Sequence, residues 1–127
     1  MYPSELKYDK EHEWVRVDGD VVTIGLSHFA QDQLGEVVYV DLPAEGDTVV
    51  TGETFGEIES VKSVSELFSP VNGEIVKVND ALTDSPETVN EDPYGEGWMI
   101  EVKLAGASEI DGLLSVEEYE AFIAEEA

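Results

Sequence analysis

The stretch GEIESVKSVSELFSP, residues 56–70, decides how this chain is read. Phe55 to Ser60 and Val64 to Phe68 are two short strand-like runs. The four residues between them, Ser60-Val61-Lys62-Ser63, are small and polar enough to turn tightly, which places Lys62 at a hairpin tip. The chain holds 30 acidic and only six basic residues, so a lysine here is conspicuous. Glu57 and Glu59 precede it, Glu66 follows it, and the next basic residue is Lys77. A side chain at such a tip is exposed and within reach of another protein's active site. Carboxylates nearby favour its ammonium form, so it is a poor Schiff-base or general-base candidate. A lysine that must be reached but need not react by itself fits a modification site. The stretch alone leaves a second reading open: an ordinary turn lysine paired with Glu59 or Glu66, worth less than about 1 kcal/mol.

Outward from the hairpin, turns and short strands continue. SPVNG is a turn, and Glu74 to Asn79 the next strand. Upstream, Trp14 to Leu26 forms a hairpin, with Asp18-Gly19 as its turn. Ser27 caps a short helix that Gly35 ends in a left-handed conformation. EVVYVDL is a strand, PAEG a turn, and Thr48 to Thr51 another strand. Residues 80–97 read as a loop with one helical turn near Pro86. In WMIEVKL, Trp98, Ile100 and Val102 share one face of a strand. Ser115 and Glu118 form a capping box for a C-terminal helix, whose stripe of Val116, Tyr119, Phe122 and Ile123 is a packing face. Many short strands with small helices at the edges predict an antiparallel sandwich or small barrel. Gly35-Glu36-Val37-Val38-Tyr39-Val40-Asp41 also matches Gly73-Glu74-Ile75-Val76-Lys77-Val78-Asn79, and Phe55-Gly56-Glu57 echoes Tyr94-Gly95-Glu96 more weakly. The match suggests two similar halves about a pseudo-two-fold axis, with chance likeness between two Val-rich strands as the alternative, and Lys62 lies between them.

The bulk numbers narrow the function. With 127 residues, the chain is expected to be one domain, 1–127. A net charge of −24 argues against nucleic acid and anionic membranes as partners. It suits either a cell with high internal salt or an acidic protein with a basic partner. There is no run that could span a bilayer and no signal-peptide h-region, so a cytoplasmic location is expected. With no cysteine and only His12 and His28, thiol chemistry is excluded and no metal site is expected. No nucleophile–base spacing or phosphate loop stands out, so no catalytic residue is assigned and the chain is expected not to be an enzyme.

Four blocks in order, LKYDKEHEWVRV, IGLSHFAQDQLGEVVYVDLPAEGD, FGEIESVKSVSELFSPVNGEIVKVN and NEDPYGEGWMI, closely resemble the H-protein family of the glycine cleavage system, whose members are lipoyl carriers. The resemblance covers nearly the whole chain. It implies a mainly β fold, a barrel-sandwich hybrid of two antiparallel sheets with short peripheral helices and a C-terminal helix. It implies lipoate in amide linkage on Lys62, with Glu59 helping the lipoate ligase or lipoyltransferase recognise the site. It implies three further partners: glycine decarboxylase, which loads an aminomethyl group on a lipoyl sulfur; the tetrahydrofolate-dependent aminomethyltransferase, which takes the carbon; and dihydrolipoyl dehydrogenase, which reoxidises the dithiol. A monomer is expected. By the same resemblance, Glu13 and Glu66 shelter the loaded arm, whose cationic end carboxylates would hold. The chain departs from the family at Glu11, where a small hydroxyl residue is common, and at Gln33, where some relatives carry a histidine. His28 is not its equivalent and is expected to be an exposed helix residue.

Other carriers fit less well. Lipoyl domains of 2-oxo acid dehydrogenases usually read Asp-Lys-Ala where this chain has Val61-Lys62-Ser63, and a linker follows them instead of a helix. Biotin carriers set their lysine between methionines, but the methionines here are Met1 and Met99. A lipoyl relay protein of the same sequence family would differ only in its partners. A non-carrier acidic module would leave the four blocks unexplained.

Overall fold

The computed structural model describes residues 2–126. Nine strands form two antiparallel sheets. The first holds six, in the order β1 (Lys7–Tyr8), β2 (Glu13–Asp18), β3 (Val21–Leu26), β9 (Ile100–Leu104), β8 (Gly73–Val78) and β5 (Thr48–Val49). The second holds three: β4 (Val37–Asp41), β6 (Thr54–Ser60) and β7 (Val64–Phe68). The expected mainly β architecture of two antiparallel sheets with peripheral helices is the one observed.

The main core lies between the sheets, where Val15, Ile24, Ile58, Leu67, Ile75 and Ile100 are all buried. Each comes from the inward-facing set of a strand, as a pleat of period two requires. A second cluster covers the other side of the β1–β2 edge. There Leu6, Tyr8 and Trp14 pack against Val116 and Tyr119 of the C-terminal helix α4 (Val116–Glu126). Tyr8 and Tyr119 stack with ring centroids 4.6 Å apart. Trp14 Nε1 donates to the Pro93 carbonyl at 2.8 Å, which satisfies its one polar atom. Glu13, Trp14 and Val15 are all buried, so the in–out alternation of a half-buried strand does not hold at the start of β2. The helix covers the face that the alternation would leave to water.

Ser27 caps α1 (His28–Leu34) by accepting from the Ala30 N–H, and Gly35 closes it with φ +82°. The capping box of α4 is present: Glu118 N–H donates to Ser115 Oγ at 3.2 Å, and Ser115 N–H to Glu118 Oε1 at 2.8 Å. The β2–β3 turn falls one residue later than expected, on Gly19 and Asp20, because Asp18 pairs with Val21. Residues 80–97 hold two short helices instead of one turn: α2 (Ala81–Asp84) and α3 (Thr88–Glu91). Each buries one aliphatic side chain, Leu82 and Val89. Trp98 is half-buried ahead of β9, which starts at Ile100.

Candidate functional site

Strands β6 and β7 form the hairpin that carries Lys62. Ser60 organises its tip. The Ser60 N–H donates to the Ser63 carbonyl at 2.8 Å, and Ser60 Oγ accepts from the N–H groups of Lys62 and Ser63 at 3.3 and 3.2 Å. A serine that bonds the backbone ahead of it stabilises a tight turn. Val61 N–H donates to the Glu36 carbonyl at 3.0 Å, which ties the tip to the segment after α1. That segment is itself clamped: Asn90 of α3 donates to the Gly35 carbonyl at 2.8 Å and accepts from Val37 N–H at 2.8 Å. The backbone of Lys62 is thus held from two directions while its side chain is exposed. Among the described residues it forms no ion pair with Glu59 or Glu66.

Beside the hairpin, between α1, the start of β2 and strand β7, lies a cleft of about 580 Å³. Leu26, Phe29, Leu34, Ile58, Leu67 and Phe68 supply its apolar lining; Glu11, His12, Gln33, Ser63, Ser65 and Glu66 supply polar groups. The Lys62 stem passes close to its rim, since a Cβ on Gly35 would stand 3.6 Å from Lys62 Cε. An apolar trough with acidic groups in its wall suits an aliphatic arm that ends in a cation.

The proposed site residues divide by position. Glu66 borders the cleft, but strand pairing turns its side chain to the outer face beside Glu57, where it accepts from Thr54 Oγ1 at 2.9 Å. Glu59 is exposed on the outer face of the three-stranded sheet, opposite Tyr39 on one side and Val64 on the other. Glu11 and Gln33, the two departures from the family pattern, both line the cleft. Glu13 does not line it. It is buried, and its Oε1 has no hydrogen-bond partner. Burial first, then the neighbouring Asp9 carboxylate, pushes its pKa well above the ordinary range. Asp9 is pushed up by burial as well, and its Oδ1 accepts from the N–H groups of Glu11 and Glu13 at 3.1 and 2.9 Å.

Sequence spacing gives His12 neither a metal-ligand set nor a nucleophile–base partner, so nothing local assigns it a role. It lines the cleft, packs on Phe29 at 4.8 Å and on Phe122 at 5.6 Å, and shares a 2.9 Å hydrogen bond with the Tyr119 hydroxyl. Its φ of +68° is the single positive value among the described non-glycine residues. Such a conformation persists only where the surroundings enforce it, and it clusters at functional sites. His28 is half-buried against Tyr2 and bonded to Gln31, not exposed as expected, because α1 lies against the aromatic cluster.

The profile of the family described as "Glycine cleavage H-protein" matches residues 6–126. The chain belongs to that family. It is 52% identical to the glycine cleavage system H protein of Bacteroides fragilis over 122 residues, covering 96% of this chain and 97% of that protein. It is 54% identical to that of Staphylococcus carnosus over 123 residues, covering 97% and 98%. The crystal structure of a glycine cleavage system H protein from Mycobacterium marinum superposes with a TM-score of 0.88 at 39% identity, covering 96% of this chain and 98% of that one. Membership makes the chain a lipoyl carrier of the glycine cleavage system and not a catalyst, and implies contact with other components of that system. No described helix is long and apolar enough to cross a membrane.

Proposed function

We propose that Lys62 is the lipoyl attachment site and that residues 1–127 act in the cytoplasm as one monomeric carrier domain. The observation that carries this is the pairing of a backbone-clamped, exposed lysine with an apolar, acid-walled cleft at its side. When bound, the lipoyl group would supply a redox-active disulfide able to carry the aminomethyl group that remains once glycine has lost CO2, serving the decarboxylase, the tetrahydrofolate-dependent aminomethyltransferase and dihydrolipoyl dehydrogenase. The chain's own part is to present and to shelter. Ser60 and Glu36 hold the tip; Phe29, Leu34 and Leu67 cover an aliphatic stem; Glu66, on the edge strand β7, would reach a cationic end from the outer rim of the cleft. Glu13 has a buried carboxyl oxygen with no hydrogen-bond partner, and through it would join in sheltering the loaded arm. Glu59 is left outside for the enzyme that attaches lipoate.

Intact mass and peptide mapping after treatment with a lipoate ligase, lipoate and ATP test the assignment. A single lipoyl increment on Lys62, with the other lysines unmodified, is expected. A folded protein with Lys62 unmodified contradicts it.

A further inference from the structure

The outer face of the three-stranded sheet is organised in two rungs behind the Lys62 tip. Strand pairing sets Tyr39, Glu59 and Val64 side by side, and Asp41, Glu57 and Glu66 side by side one step further from the tip. Residues directly opposite on antiparallel strands point to the same face. The first rung is mostly apolar yet exposed: Tyr39 is 50% and Val64 60% accessible, and the neighbouring Val61 is 67% accessible. Large apolar side chains grouped on a charged surface mark an interaction site. The second rung sets three carboxylates on adjacent strands, an arrangement that like-charge repulsion disfavours. Among the described residues none of the three has a cationic partner; Glu66 accepts only from Thr54 Oγ1. Folding alone gives no reason for either rung.

We infer that this face docks the enzyme that acylates the Lys62 amine, through an apolar pocket for Tyr39 and Val64 and a rim of lysine or arginine facing Asp41, Glu57 and Glu66. The inference rests on Lys62 being the modified residue. Reach selects this partner over the others. Enzymes that work on the far end of an attached arm need not touch the strand next to the lysine. An enzyme that forms the amide must bring its acyl donor to Nζ itself, so it covers the surface at the tip. The charge arrangement selects its chemistry, because a cationic rim relieves the carboxylate rung and steers the encounter with a chain of net charge −24. A rigid aromatic side chain at the centre of such a contact is the commonest energetic anchor.

The test is the rate of Lys62 acylation by a lipoate ligase with lipoate and ATP, followed by intact mass at several salt concentrations. Tyr39→Ala should lower kcat/KM about tenfold, through KM and not kcat, as expected for loss of an anchor residue. The double change Asp41→Asn, Glu57→Gln should lower kcat/KM about threefold and flatten its salt dependence. Val64→Ser repeats the apolar arm of the test should Tyr39→Ala fail to fold, as a thermal melt will show. Val76→Ala, exposed on the other sheet, should acylate at the wild-type rate. Variants of the face that stay within twofold of wild type overturn the docking surface and leave the Lys62 assignment standing. A wild-type chain that is not acylated at Lys62 overturns both.

Discussion

The two strands that share a sequence pattern, β4 and β8, are built alike and used differently. A Gly-Glu pair precedes β4 and opens β8, the two strands sit in different sheets, and each carries a register irregularity at the same place: between Val37 and Tyr39 in one, between Ile75 and Lys77 in the other. The irregularity leaves Val38 and Val76 about equally exposed, at 42% and 40%. The residues after it diverge. In β8, Lys77 stands opposite Glu101 and over the Trp98 ring at 5.5 Å, and Asn79 is buried, donating to the Glu96 and Trp98 carbonyls. In β4, Tyr39 stands opposite Glu59, and Asp41 opposite Glu57, both rungs exposed and without a cation. The second copy therefore satisfies its side chains within the fold, while the first leaves them to solvent beside Lys62. The weaker echo has no such counterpart, since Phe55-Gly56-Glu57 lies in β6 but Tyr94-Gly95-Glu96 lies in a turn.

If the first copy serves the site and the second the fold, substitutions should sort accordingly. The largest effect is functional: Lys62→Arg should abolish lipoylation by intact mass yet move stability by no more than about 0.5 kcal/mol, because the side chain is exposed. Next come the two leading glycines. A Cβ on Gly73 would run into the Lys103 carbonyl oxygen, backbone that cannot yield, so Gly73→Ala should cost about 3 kcal/mol in denaturant unfolding. A Cβ on Gly35 meets only Lys62 Cε at 3.6 Å, and the cost there is the φ of +82°, about 1–2 kcal/mol. Equal losses at the two positions would undo the distinction.

Glu13 tests whether the six-stranded sheet also holds part of the site. Its folded-state pKa is raised above the ordinary 4.5, so the folded form binds its proton more tightly than the unfolded form. The stability this gives is complete below the unfolded value and is lost as pH rises through the folded one. Thermal melts should therefore show wild-type stability falling with rising pH across that window. Glu13→Gln, with no proton to lose, should fall less, ending about 1–2 kcal/mol ahead on the alkaline side, the size of a buried unpaired group's penalty. Parallel curves would mean that the buried carboxyl is ionised already. The smallest effect is general: molar salt should raise the melting temperature over dilute buffer by roughly 4 °C, or about 1 kcal/mol, as 30 carboxylates are screened. Coincident melts would remove the high-salt reading of the composition.

Much of this molecule was legible in its residues. The hairpin of Lys62 follows from two strand-like runs around a Ser-Val-Lys-Ser turn, and the caps at Ser27 and Ser115 follow from local hydrogen-bonding chemistry. What was hidden depends on contacts distant in sequence. Trp14 is buried because α4, some hundred residues later, covers β2, and Glu13 is buried on the opposite face, which it shares with Val15; no local period encodes either. His12 entered the cleft through a positive φ and partners at Phe29, Tyr119 and Phe122, none of which its neighbours announce. The two short helices at 81–91 were masked by a Pro- and Asp-rich composition, yet Asn90 among them clamps the segment that steadies the Lys62 tip.

The most direct test of the carrier role uses the lipoylated protein. Reduced to the dithiol form and oxidised form in parallel, it would be mixed with glycine and a pyridoxal-phosphate glycine decarboxylase, and Lys62 peptides read by mass. An aminomethyl increment that appears only with glycine, only from the oxidised form and only on the lipoylated Lys62 peptide is the predicted result. A lipoylated Lys62 that never gains the increment, with a decarboxylase that loads another H protein in the same assay, contradicts the shuttle and leaves a lipoyl relay in its place.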